Sequence, residues 1–175
     1  MERKFSNVTI EVTRGDIANQ PDMDAIVNAA NARLKMGGGV AGAIHSKGDP
    51  ELEKETQPLA PISPGEAVIT SAPNLPNKYV IHCLGPVYGR DKPEDKLLAD
   101  CYRNALKKAD EYNITSIAFP AISTGAFGYP AESAARIALE TVMETAPKLK
   151  TVKLVRFVLF GKSDYEIHEK VLKSL

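Results

Sequence analysis

The residues with chemistry to offer fall into two clusters. The first runs Asn28-Ala29-Ala30-Asn31 and continues to Gly37-Gly38-Gly39-Val40; the second is Ser123-Thr124-Gly125-Ala126-Phe127-Gly128. Glycine gives up more backbone entropy on folding than any other residue, so a run of it is costly unless another group must lie against the main chain. Where such a run opens a helix, the unpaired N–H groups and the helix dipole favour a phosphate. Neither glycine run contains a lysine or arginine, although Arg33 and Lys35 lie just upstream of the first. A diphosphate held here is expected to rest on neutral N–H groups of Gly37, Gly38, Gly39 and Val40 and of Ser123, Thr124, Gly125, Ala126 and Phe127. Phosphoryl transfer draws on cations to neutralise developing charge. With no cations in the loops and no acid cluster for a metal, the expected chemistry is binding of an intact diphosphate. Any reaction would lie at a sugar beyond it, with no metal and no cofactor.

These clusters need elements to hold them. Ala25-Ile26-Val27 reads as a short apolar strand leading to the first cluster, and Val40, Ala43 and Ile44 as the inner face of the helix after it. Ser116-Ile117-Ala118-Phe119 is a second apolar run, leading into the second cluster. Pro130 suits the first turn of the next helix, and Pro147 marks its end. Val8, Ile10 and Val12 alternate with polar residues as in a half-buried strand. Gly65–Thr70 and Tyr79–Leu84 read as strands joined by the turn Asn74-Leu75-Pro76-Asn77, and residues 152–160 as the last strand. Glu94–Tyr112 carries an apolar stripe at helical spacing, residues 50–56 are charged and helix-compatible, and residues 163–175 close the chain as a helix. Strands alternating with helices predict a three-layer α/β/α sandwich around a mixed, mostly parallel sheet.

The chain has 175 residues, enough for one domain with a real core, residues 1–175. Its 22 basic and 22 acidic residues balance, so no global field draws it to nucleic acid or an anionic membrane. The run Lys148, Lys150, Lys153 and Arg156 reads as a solvated face. Cys83 and Cys101 fit neither a disulfide framework nor zinc spacing, and no apolar stretch reaches membrane-spanning length. The expectation is a soluble, cytoplasmic monomer.

Other phosphate motifs fit less well. Gly37, Gly39 and Gly42 satisfy G-x-G-x-x-G, but a dinucleotide fold needs that turn directly after the strand, and residues 28–36 intervene. Gly161-Lys162-Ser163 resembles the end of a P-loop, yet Arg156 stands where its first glycine belongs. A glycine cluster can also be a tight turn with no ligand; a second loop of like chemistry favours the ligand.

Taken in order, Gly15-Asp16-Ile17, Ile26-Val27-Asn28-Ala29-Ala30-Asn31, Gly37-Gly38-Gly39-Val40, Tyr79-Val80-Ile81-His82, Gly85-Pro86, Ser116–Pro120 and Ile122-Ser123-Thr124-Gly125 resemble the macro domain family. The resemblance covers nearly the whole chain and implies a cleft for ADP-ribose, free or attached to a protein. It implies Asp16 at the exocyclic amine of adenine and the Ile17 main chain at a ring nitrogen, with Phe160 stacked on the base. Without it, Asp16 reads as a turn acid and Phe160 as a core residue beside Phe157. At the distal ribose the resemblance favours Asn31 for orienting hydroxyls, with Asn28 nearby or capping the loop, and Phe127 covering the sugar or anchoring its loop. One hydrolase branch carries aspartate after Gly-Gly-Gly-Val; this chain has Ala41, as viral and archaeal relatives do. His45 belongs to the hydrolase-like pattern and reads either as support for catalysis or as a structural histidine. The implied activity is hydrolysis of mono-ADP-ribose from acidic side chains. Two alternatives stand beside it: a non-catalytic reader of mono- or poly-ADP-ribose, and an O-acetyl-ADP-ribose deacetylase.

Overall fold

The apolar strands face two cores in turn, because side chains on a strand alternate between faces. Ile117 and Phe119 point to one side of the sheet and Ala118 to the other; Ala25 and Val27 oppose Ile26 in the same way. A computed structural model describes all residues 1–175. Its strands are β1 (Glu2–Phe5), β2 (Val8–Arg14), β3 (Ala25–Ala29), β4 (Ala67–Ser71), β5 (Tyr79–Cys83), β6 (Ser116–Phe119) and β7 (Leu154–Leu159). They form one sheet in the order β1-β2-β7-β6-β3-β5-β4. The inner pairs, β2–β7, β7–β6, β6–β3 and β3–β5, are parallel, and β1 and β4 run antiparallel at the edges.

The helices are α1 (Gly39–Gly48), α2 (Glu51–Thr56), α3 (Glu94–Glu111), α4 (Ala131–Thr145) and α5 (Lys162–Ser174). α3, α4 and α5 pack together on one face; Leu98, Tyr102, Leu139 and Val171 join Phe119 and Phe157 in the main core. α1 and α2 cover the other face, where Ile44 and Leu52 meet Ile26 and Val80. The sandwich and the mixed sheet are as the sequence predicts. No membrane-spanning helix exists: none is long and apolar enough.

Three local differences matter. β1 was not anticipated, because its three charged residues, Glu2, Arg3 and Lys4, hide an edge strand. β3 runs on to Ala29 and so takes in Asn28. Finally, α4 begins at Ala131 with Pro130 before it, so the second glycine loop does not itself open a helix.

Candidate functional site

All the parallel strands end at the same edge of the sheet, and there a cavity of about 700 Å³ opens, within the roughly 300–1,000 Å³ common for small-molecule sites. Open α/β sheets hold ligands beyond the carboxyl ends of their strands. Here each strand contributes one station. Beyond β2 stand Gly15, Asp16 and Ile17; beyond β7, Phe160 and then Asp164 in the first turn of α5. Beyond β6 lies the loop from Pro120 to Phe127, beyond β3 the segments Ala29–Asn31 and Gly37–Ala41, and beyond β5, Gly85.

The first glycine loop opens α1, with Gly38 as its N-cap. Gly39 sits at φ +55°, a left-handed conformation that glycine adopts without a Cβ penalty. The main-chain N–H groups of Gly37 to Ala41 donate no hydrogen bond within the protein, and the first helical bond is Gly42 N–H to the Gly38 carbonyl at 3.3 Å. A Cβ on Gly42 would come within 2.6 Å of the Gly37 oxygen, so only glycine lets the loop fold back so tightly.

The second loop offers the same resource by other means. The N–H groups of Ser123 to Phe127 also donate nothing within the protein, while Gly128 closes a turn on the Gly125 carbonyl at 3.0 Å and Tyr129 bonds the Ser123 carbonyl at 2.9 Å. A concave turn of successive N–H groups binds anions without a helix dipole. Buried Tyr102 of α3 holds the base of the loop, its hydroxyl accepting the Ile122 N–H at 3.3 Å. Burial pushes that phenol well above its ordinary range, so it stays neutral. Ser123 lies at φ +67°, unusual for a residue with a side chain. Its Oγ is buried and has no hydrogen-bond partner in the protein.

The two asparagines separate. Asn31 lines the cavity. Its Nδ2 donates to the Lys35 carbonyl at 2.8 Å and its Oδ1 accepts the Lys35 N–H at 3.1 Å, which clamps the turn leading to the glycines. One N–H and one lone pair of that amide remain unspent. Asn28 is fully buried and lies outside the cavity lining. The continuation of β3 places it opposite His82 of β5, and its Nδ2 donates to His82 Nδ1 at 3.1 Å. Burial, with His45 nearby, holds the His82 pKa down to about 3. The neutral ring donates from Nε2 to Thr70 Oγ1 at 3.0 Å.

His45 is likewise fully buried and outside the lining; its Nδ1 donates to Asp49 Oδ1 at 2.8 Å. Asp49 also accepts the Glu53 N–H at 3.0 Å, so His45 secures the joint between α1 and α2 rather than facing a ligand. Helical spacing set it on the inner face of α1, away from the loop that α1 begins.

At the β2 end, Asp16 Oδ1 accepts the Ala18 N–H at 2.9 Å, which makes it the turn acid and leaves its other oxygen free for a ligand. Phe160 is 87% exposed, so it is no core residue; Phe157 fills that role at 0%. Phe127 is half-buried against the cluster of Ala30, Leu34, Ile62 and Leu84, and its carbonyl accepts the Tyr88 N–H at 2.8 Å. It both lines the cavity and anchors its loop. Asp164 and Gly85 are lining residues that sequence reasoning did not single out as ligand contacts. The signal for each was its place just beyond the end of a parallel strand. No group of three or more His, Cys, Asp or Glu side chains is gathered to hold a metal.

The molecule is thus an α/β/α sandwich with two cation-free runs of unpaired N–H groups at its strand ends. The Macro domain family model matches residues 27–138. A macro domain-containing protein of Caldanaerobacter subterraneus subsp. tengcongensis is 49% identical over 171 residues, covering 95% of this chain and 97% of that one. An Oceanobacillus iheyensis macrodomain variant solved with ADPR superposes at a TM-score of 0.94 with 40% identity, covering 99% of this chain and 97% of that one. A Trypanosoma brucei macrodomain in complex with ADP-ribose gives a TM-score of 0.84 at 36% identity, covering 95% and 69% of the two chains. The chain belongs to the macro domain family.

Proposed function

We propose that this protein binds ADP-ribose and hydrolyses mono-ADP-ribose from acidic side chains of modified proteins. The observation that carries the reading is the pair of unspent N–H runs, Gly37–Ala41 and Ser123–Phe127, on one cavity whose lining contains no lysine or arginine. Such groups suit a diphosphate that is gripped and kept. On this reading adenine lies over Asp16, Ile17 and Phe160, and the distal ribose beside Asn31 and Phe127. The chain acts as a monomer, and its two buried free thiols, Cys83 and Cys101, suit a reducing cytoplasm.

For an ester to an acidic side chain, the departing group is a carboxylate. It leaves as a stable anion and needs no general acid, consistent with a cavity whose only carboxylates are Asp16 and Asp164 at the far end. Water adds to the anomeric carbon, the carbon–oxygen bond to the acceptor breaks with its electron pair, and the water's proton passes to a diphosphate oxygen. Asn31 fixes the ribose hydroxyls, so that orientation supplies much of the rate.

Calorimetry with ADP-ribose, NAD and ATP tests the binding, with ADP-ribose expected to bind tightest. Release of ADP-ribose from a modified acceptor tests the turnover, and Asn31→Ala is expected to lose at least tenfold in rate while remaining folded. Preference for NAD would overturn the ligand assignment. A second reading, a non-catalytic reader, is favoured by Ala41, which lines the cavity and offers no base. Tight binding with no release would select it. Cleavage of O-acetyl-ADP-ribose in preference to the protein conjugate would select the deacetylase.

A further inference from the structure

We infer that Asp164 makes this cavity selective for an adenosine ribose with a free 2′-hydroxyl, excluding ligands phosphorylated there; the inference rests on the ADP-ribose reading above. The sheet order β2-β7-β6-β3 fixes the sequence of stations across the cleft. Asp16 and Ile17 lie beyond β2, the second glycine loop beyond β6 and the first beyond β3. If the base occupies the β2 station and the diphosphate the β6 and β3 stations, the sugar joining them must pass over β7. The lining residues there are Val158, Leu159, Phe160 and, in the first turn of α5, Asp164.

No hydrogen bond or ion pair within the protein engages that carboxylate, which acts on His168 only through its charge. Asp164 is half-buried in the first turn of α5, yet α5 has no side-chain cap, and Asp164 enters hydrogen bonding only through its main-chain oxygen, which accepts from His168 Nδ1 at 2.8 Å. That bond holds the turn against a buried histidine, so the side chain has a fixed base. The one cation on the same turn, Lys162, pairs with Glu166 at 3.8 Å and does not line the cavity.

A carboxylate beside an adenosine ribose accepts hydrogen bonds from its hydroxyls. Dinucleotide folds use the same device, and replace the acid with a basic residue when the 2′-position carries phosphate. Here Asp164 and Asp16 give the adenosine end two acids and no lysine or arginine in the lining, and Asp164, in the first turn of α5, offsets the positive end of that helix that would otherwise favour another phosphate.

The test is calorimetric binding of ADP-ribose and of its 2′-phosphorylated derivative to the wild-type protein, Asp164→Asn and Asp164→Ala, with urea unfolding as a check on the fold. Wild type is expected to favour ADP-ribose at least tenfold. Asp164→Asn, of equal size but uncharged, is expected to narrow that ratio at least threefold by gaining affinity for the phosphorylated ligand. Equal binding of both ligands by wild type overturns the inference and leaves the ADP-ribose reading intact. So does a ratio that Asp164→Asn leaves unchanged, or that only Asp164→Ala narrows, since space rather than charge would then discriminate. Binding of neither ligand overturns the ADP-ribose reading and this inference with it.

Discussion

Asn28 and Asn31 are three positions apart in one motif, and the structure gives them different work. Asn31 clamps the turn and faces the cavity, whereas Asn28 supplies the donor that a buried, neutral His82 requires. Asn28→Ala would leave His82 Nδ1 without that donor, at a cost of about 1–3 kcal/mol. It should appear as a lower urea midpoint with little change in ADP-ribose affinity; Asn31→Ala, which loses two exposed bonds to Lys35, should lower the midpoint less and the affinity more. His82 also sets a pH dependence. Its pKa falls from 6.5 to about 3 on folding, so between those values the unfolded chain binds more protons and stability rises with pH. The contribution is complete above pH 6.5, and about 2 kcal/mol of it is gone at pH 5. Urea midpoints measured from pH 7 to pH 4.5 should show this fall, and His82→Gln should lessen it, leaving the smaller slope of buried His168, whose pKa is also lowered by burial. The sequence showed which residue types were present but not how far β3 ran. Because facing alternates along a strand, that boundary decides whether Asn28 is a ligand contact or an interior donor.

At the scale of elements, the second glycine loop depends on a residue outside it. Gly85 lies beyond β5, and a Cβ there would come within 2.6 Å of Ile122 Cγ2 and would overlap the Ser123 hydroxyl. Gly85→Ala must therefore push the loop that begins at Ser123. A loss of at least tenfold in ADP-ribose affinity is expected by calorimetry, with the far-ultraviolet circular dichroism unchanged. The elements themselves were largely legible: short apolar stretches gave β3, β6 and β7, and a helical stripe gave α3. Charge obscured β1, and the contact between Gly85 and Ser123 joins residues 38 positions apart. No local pattern announces such an approach.

Across the whole molecule, the segment joining β2 to β3 must be held still for Asp16 and Ile17 to meet a base. Arg156 of β7, which sequence reasoning left on a solvated basic face, does much of this. Its side chain is 13% exposed; Nε donates to Glu11 at 2.7 Å, while Nη1 and Nη2 reach Asp22 at 2.9 and 2.7 Å. Nη1 also donates to Gln20 Oε1 at 3.0 Å. The guanidinium holds the Asp22 carboxyl below its usual range. From the other side, Lys47 donates to the Ala18 carbonyl at 3.0 Å, and Asn77 Nδ2 to the carbonyls of Gln20 and Met23, each at 2.8 Å. Lysine cannot reproduce a forked contact with two acids. Arg156→Lys is therefore expected to weaken ADP-ribose binding about threefold to tenfold and to lower the melting temperature by a few degrees. A composition count sees only one more positive charge here; the fold reveals which acids surround it.

A grip formed from peptide N–H groups carries no titrating side chain. Nor does it contain an amine that acetylation could silence. Association should accordingly vary little between 50 and about 200 mM potassium chloride, where a lysine-lined site would release counterions and weaken steeply. Long polyanions such as RNA would gain little at this cleft, so the protein could find a small diphosphate sugar in a cell crowded with nucleic acid.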